Sequence, residues 1–500
     1  MLYGLALSVS GDDLAAFLHA SFGLMTSVAL YTGLRRLAGP RAGALGAVLF
    51  YLCPLVIYAS WACGVDLASA FYITAALCVM TGGAGSAPER AGGRSVMAGL
   101  LIGFAAGTKF NVLPTAGALV LGHAWLERRL GRGWKGPVLM SVAAAGVTLP
   151  WLVKNAVLYG NPLYPFLHDV FGTLRPADWR TFLDAAGSRD LKAAFTTSAG
   201  FWDFLTLPFR STMGNWPLGD WPGPVFAALA PAALTVRWGA VSRERPAWGL
   251  AAGVAALGFL AWWLSSSLVR YLIPALPLAA AAVALAVEHG AWPRGVRAAA
   301  WWAVLGGSLL GYQCTWRQGT GIGQWAFVRG QITREEYLSH QRVTYGLPYF
   351  SAARWMNANL PPSAKVLLVG ESRAFYLERD YVAATVFDHN PFWTAAAAAK
   401  DAADLRERLR AMGVTHLFLS ARQLHLRHGS PGILPREAAG SAVTDDFIRR
   451  WLDRLWEDRV DKGEDPRWMT VYRLREEASA VPAAVNPVRV VLDVLASQGL

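Results

Sequence analysis

Six long runs without a formal charge constrain this chain more than any other feature. Residues 42–65, 67–88, 137–153, 246–269, 271–287 and 298–316 contain no Asp, Glu, Lys or Arg. A hydrocarbon layer roughly 30 Å thick asks for about 17–25 apolar residues per helix. Lipid offers backbone amides no partners, so such runs are expected to cross it as helices. Hydrophobic residues make up 54% of the chain and charged residues only 16%, against roughly a quarter charged in soluble domains. We expect an α-helical polytopic membrane domain over 1–314, a soluble α/β domain over 315–475, and a tail over 476–500. About nine or ten spans are expected, near 14–34, 42–58, 66–81, 95–108, 110–126, 137–153, 223–236, 246–264, 270–287 and 298–314.

Basic residues alternate between the connections. Arg35, Arg36 and Arg41, then Arg90 and Arg94, then Arg128, Arg129, Arg132 and Lys135, then Arg237, Arg243 and Arg245, then Arg294 and Arg297 fall on one face. The short connections on the opposite face hold little beyond Lys109 and Arg270, and in the long loop 154–222 six Lys/Arg are matched by six Asp. The positive-inside rule makes the first face cytoplasmic. The loop 154–222 and everything after Trp316 are then extracytoplasmic. The formal charge of +12 thus reports topology, and a nucleic-acid partner is not expected. The same reading puts Met1 outside without a signal peptide, so a further span upstream of Met1 is expected. Cys53, Cys63, Cys78 and Cys314 lack metal-ligand spacing and read as small hydrophobes.

Beyond Trp316 the pattern changes. Lys365–Gly370, Tyr381–Phe387, Thr415–Ser420 and Trp468–Leu474 read as strands, and Asp401–Met412 as an amphipathic helix ending at Gly413. Strands alternating with helices favour a layered α/β unit. Gly370-Glu371-Ser372 lacks the glycines of a nucleophile elbow. His425 and His428, with Arg427 between them, read as a solvated loop, not a metal site.

Polar residues within apolar segments must offset their desolvation. Asp66 opens a span, either as a cap for orphan amides or as a carboxylate that polarises an acceptor or holds a cation. Lys109 separates two stretches, 95–108 and 110–126, that are short for spans. Its turn, with Asn111, should lie below the headgroups, where a lysine meets a phosphate as a point charge; the alternative is a snorkelling side chain. Arg270 follows Ser265-Ser266-Ser267 and precedes Tyr271. It suits bidentate phosphate binding, while Tyr271 fits an interfacial belt equally well. Lys154 and Asn155 begin the long loop, and Gly160-Asn161-Pro162 reads as a turn.

At these residues the sequence resembles a family. Lys154-Asn155, Gly160-Asn161-Pro162-Leu163-Tyr164-Pro165-Phe166, Val65-Asp66-Leu67, Gly99 to Gly103 with Thr108-Lys109, and Arg270-Tyr271 to Pro277 are similar to ordered motifs of bacterial GT-C glycosyltransferases. These are relatives of protein O-mannosyltransferases and lipid A aminoarabinose transferases. The stretch Ala353–Phe392 is similar to the tail of some members. The resemblance implies an inverting transfer from a polyprenyl-phosphate-linked sugar donor to a lipid, glycan or protein acceptor. Asp66 matches an acidic catalytic position, and Lys109, Arg270 and Lys154 match positions expected near the donor phosphate. Asn155, Tyr164 and Tyr271 are implied as substrate-binding. No cofactor motif is present, although a divalent cation is compatible with the chemistry. The family's initial span and its acidic loop have no counterpart after Met1, and Asp12 and Asp13 lie too near the first span to replace that loop. A flippase of lipid-linked substrates would also use intramembrane cations, but the internal repeat common in transporters is not visible. A non-catalytic membrane scaffold is the other alternative.

Overall fold

The computed structural model describes residues 2–81, 91–129, 131–164, 167–171, 195–213, 221–229, 245–265, 268–290, 292–321, 323–340, 347–385, 388–426, 428, 433–460 and 467–499. The chain divides into two compact units, residues 1–174 with 186–318 and residues 175–185 with 319–500.

The first unit is helical. Its opening helices are α1 (Leu2–Ala38), α2 (Pro40–Tyr51), α3 (Pro54–Ser60), α4 (Asp66–Thr81), α5 (Ala91–Thr108), α6 (Leu113–Arg129) and α7 (Lys135–Tyr159). Helix α1 is broken at Ser10 and Gly11, where the backbone leaves helical geometry. Further helices cover Ser198–Met213, Arg245–Ser265, Leu276–His289 and Arg294–Gly321. The helix Leu276–His289 is buried over nearly its whole length, from Leu276 to Val287, as an apolar sequence without a polar stripe requires.

By length and composition, α1 and α7 can each cross a membrane, and α2 with α3 is a third candidate bent by 63°. The apolar helices Asp66–Thr81, Gly249–Ser265 and Leu276–His289 are shorter. Among the described residues this is fewer than the nine or ten spans expected. Uncharged runs set how far apolar sequence extends, whereas helix length is set by where Pro, Gly and turns interrupt it. Helix α5 starts at Ala91, earlier than expected from the apolar run, and spans 18 residues. Residues 230–244 lie outside the described residues, and with them much of the expected span 223–236.

Helix α5 lies against α7 with almost no side chain between them. A Cβ added at Gly99 would stand 2.2 Å from the Met140 carbonyl oxygen, and one at Gly103 would stand 2.7 Å from that of Ala144. Small residues allow helices this close an approach. Where α5 begins and α6 ends, Ser95 Oγ and His123 Nε2 lie 3.0 Å apart. Glu127, one turn on, pairs with Arg132 at 3.5 Å. Ser95, His123 and Glu127 are all buried. Gly136 of α7 closes over all three, since a Cβ there would lie within 3.4 Å of each.

The second unit is built on a five-stranded mixed sheet in the order β2-β1-β3-β5-β4. Its strands are β1 (Lys365–Val369), β2 (Asp380–Val382), β3 (His416–Ser420), β4 (Leu452–Val460) and β5 (Arg467–Leu474). The strands β1, β2 and β3 run parallel, while β5 is antiparallel to both β3 and β4. The β2 pairing is shorter than the expected 381–387, of which residues 386 and 387 lie outside the described residues. The helix Ala402–Ala411 is capped by the Asp401 side chain. The edge strand β4 was not among the expected strands; Asp453, Arg454, Glu457, Asp458 and Arg459 interrupt its apolar residues. Charges on an edge strand guard it against further pairing.

Two other stretches differ from the sequence reading. Residues read as a C-terminal tail contain the helix Pro487–Ser497, capped by Asn486, and its Val488, Val491 and Leu495 belong to the core. His425 is on a short helix, Ala421–Leu426, and not in a solvated loop. Glu371 is a structural group. It accepts from the amides of Ser372 and Arg373 and from both Nε and Nη2 of Arg373.

Candidate functional site

The α4 N-terminus is fixed by contacts from α1. His19 of α1 is buried, and its Nδ1 lies 2.8 Å from the Tyr3 hydroxyl, which also donates to the Gly64 carbonyl. A Cβ at Gly64 would sit 3.3 Å from His19 Nε2, so the turn before Asp66 rests directly on the imidazole. Sequence reasoning passed over Tyr3 and His19. The available signal was a histidine inside an otherwise uncharged span, which demands a partner.

Helix α4 meets the end of α5 through a 2.6 Å hydrogen bond between Ser69 and Thr108. That bond sets the next residue, Lys109, against the first turn of α4. Lys109 Nζ reaches Asp66 Oδ1 at 2.8 Å, with 22% and 13% of the two side chains exposed. The carboxylate is thus taken up by a lysine and not spent on its own helix's amides. Lys109 Nζ also lies 3.9 Å from the centre of the Tyr271 ring. A cation over an aromatic face is held by the ring quadrupole.

Tyr271 belongs to the single 3₁₀ turn Val269–Leu272, and Trp262 Nε1 donates to Leu268 O at 3.0 Å just before it. Arg270 Cζ is 5.8 Å from the same ring. The side chain of Arg270 is exposed, and among the described residues no carboxylate pairs with it. Asp66, Lys109 and the adjacent pair Arg270-Tyr271, three stretches far apart in sequence, therefore form one constellation. Asn111 follows at once in the 3₁₀ turn Phe110–Val112, and both polar atoms of its amide are buried without a partner.

Lys154 lies near the end of α7, with Nζ 5.5 Å from the ring centre of Trp151. Trp151 in turn lies beside Gly107 of α5, two residues before Lys109. Asn155 and Tyr164 are brought to each other: Asn155 Nδ2 donates to the Tyr164 carbonyl at 3.4 Å. Tyr164 stacks on Tyr159 at 4.3 Å, and Asn161 Oδ1 accepts from Leu163 N at 2.9 Å. This part of the Lys-Asn to Tyr-Pro-Phe motif folds the start of the loop onto α7. Pro165 and Phe166 lie outside the described residues.

Two cationic side chains, Lys109 and Arg270, stand about the Tyr271 ring, and Asp66 pairs with the first of them. Such an arrangement suits an anion at the Arg270 and Lys109 side. Among the described residues no three His, Cys, Asp or Glu side chains converge, and Asp66 faces an ammonium.

No family model matches the sequence, and no curated protein matches it either. Solved structures do. ArnT from Cupriavidus metallidurans bound to undecaprenyl phosphate superposes with a TM-score of 0.50 at 15% identity, over 94% of this chain and 86% of that one. Its apo state gives 0.51 at 14% identity, with the same coverage of 94% and 86%. The Archaeoglobus fulgidus oligosaccharyltransferase in complex with Zn and sulfate gives 0.54 at 14% identity, over 95% of this chain and 65% of that one. At such identities the likeness is one of architecture: this chain shares the fold of ArnT and of the Archaeoglobus fulgidus oligosaccharyltransferase.

Proposed function

We propose that this protein is a membrane glycosyltransferase that moves a sugar from a polyprenyl-phosphate carrier to an acceptor on the outer side of the cytoplasmic membrane. The observation that carries the reading is the Asp66–Lys109–Tyr271–Arg270 constellation on a fold shared with a protein solved bound to undecaprenyl phosphate. The alternation of basic connections supports a polytopic arrangement, with the loop after α7 and the second unit outside. Exposed Phe201, Trp202, Leu205 and Phe209 on the helix Ser198–Met213 suit that loop to an interface.

In this reading Lys109 and Arg270 receive the donor phosphate, with Lys154 at its margin. The phosphate competes with Asp66 for Lys109, and the carboxylate is released to accept a proton. The acceptor hydroxyl attacks the anomeric carbon, and the bond from that carbon to the phosphate oxygen breaks. The hydroxyl proton passes to Asp66, while the added charge on the departing phosphate is stabilised by Lys109 and Arg270. Anomeric configuration inverts in this single displacement. Tyr271 keeps Lys109 in place between the two anions.

Purified protein incubated with radiolabelled polyprenyl-phosphate sugars and membrane extracts tests the proposal. Transfer that Arg270→Ala reduces by about 100-fold or more is expected. Translocation of the donor without transfer would favour a transporter, and neither activity a scaffold.

A further inference from the structure

A second group of cations lies in the C-terminal unit, in a cleft that the proposed transfer reaction does not use. The cleft has a volume of about 270 Å³ and is bordered by the helices Ala421–Leu426 and Pro487–Ser497 and by the ends of β4 and β5. Arg422, His425 and Arg459 form its charged wall, and Val491 and Val494 its apolar wall. Arg467 borders it too, with Asp458 holding its guanidinium at 2.7 Å. Among the described residues no Asp or Glu lines the cleft.

The hydrogen bonds on the charged wall leave two donors over. Arg422 Nη1 lies 3.4 Å from His425 Nδ1. A guanidinium has only protons to offer, so Nδ1 is the accepting nitrogen and the ring proton sits on Nε2. That Nε2–H is buried and meets no acceptor, and neither does the buried Nε–H of Arg422. Native structures rarely leave two buried donors unsatisfied side by side. Arg459 brings a third cationic group from β4, its Cζ 4.0 Å from the centre of the Trp468 ring. Cations converging from a helix and a strand suit a tetrahedral anion with several acceptor oxygens.

We propose that this cleft binds a phosphate ester. Its oxygens accept from Arg422 Nε–H and His425 Nε2–H, Arg459 balances its charge, and the apolar part of its substituent lies along Val491 and Val494. The site does not depend on the glycosyl-transfer reading. A phospholipid headgroup and a soluble sugar phosphate share this chemistry, and they are separated by the choice of probe.

The test uses the full chain in dodecyl maltoside, in an Arg270→Ala background that weakens the cations beside Asp66. Equilibrium dialysis is run with inorganic phosphate, glucose 6-phosphate and dihexanoyl phosphatidylglycerol. We expect saturable binding that Arg422→Gln and Arg459→Gln each weaken by about tenfold or more. Arg422→Lys, which keeps the charge but lacks the Nε donor, should fall between them and the parent. The tighter of the two esters names the source, lipid or sugar. Equal affinity in parent and variants for every probe, or no saturable binding by the parent at millimolar concentration, overturns the proposal.

Discussion

The two ends of the helical unit treat their polar residues in opposite ways, although α5, α6 and α7 run between them. Where α5 begins, Ser95, His123 and Glu127 are buried, and the backbone of Gly136 closes over them. Where α5 ends, Asp66 and Lys109 pair in a half-open site, and Arg270 stands exposed beside them. A polar residue inside an apolar bundle is therefore not a sign of chemistry by itself. What separates the two ends is whether the chain's own groups seal the charge or leave a cation available to a ligand.

The largest expected effect comes from removing the carboxylate at the open end. Asp66→Asn should lower transfer by about 100-fold or more, since single electrostatic groups at a transition state contribute that much. Its thermal midpoint should stay close to wild type; an unchanged turnover would make the open end as structural as the closed one. Gly99→Leu disturbs both ends at once by pushing α5 off α7. Overpacking of this kind costs about 1–3 kcal/mol or more, and transfer should fall together with the unfolding midpoint.

At the closed end, Ser95→Ala leaves His123 without a partner at Nε2, and its Nδ1 already has none. We expect a loss of about 1–3 kcal/mol, the range for stranding a buried polar group, with turnover per folded molecule unchanged. Ser95→Ala combined with His123→Leu should recover most of that stability. A fall in turnover instead would show that the closed end takes part in the reaction. The smallest effect concerns the pair itself. A double-mutant cycle over Asp66→Asn and Lys109→Met should give a coupling of about 1 kcal/mol. In the presence of undecaprenyl phosphate the coupling should shrink, because the phosphate takes over Lys109; a coupling indifferent to the carrier would argue against that exchange.

Much of this contrast was legible from sequence. Asp66, Lys109 and Arg270 stand out because each interrupts an apolar stretch, and desolvation makes such interruptions costly. The strands β1, β3 and β5 were legible from short apolar runs, and Gly413 from the helix end it marks. Asp66 and Lys109 were singled out separately, but not as a pair. Their approach depends on the Ser69–Thr108 bond and on the packing of α4 against α5, and no local spacing encodes either. His19 and Ser95 were missed for the same reason: their partners are supplied by other helices. The strand β4 was missed because its charges belong to an edge, a property of the sheet and not of the segment.

The packing of α5 on α7 through Gly99 and Gly103 also acts as a ruler. With backbones in contact, neither helix can slide or turn on the other, so the count of residues from Gly103 to Lys109 sets the direction in which the lysine points. Deleting one residue from that interval would rotate Lys109 by about 100° and draw it back by about 1.5 Å, away from both Asp66 and Tyr271. Attempts to alter the site at Lys109 should therefore leave the spacing along α5 intact.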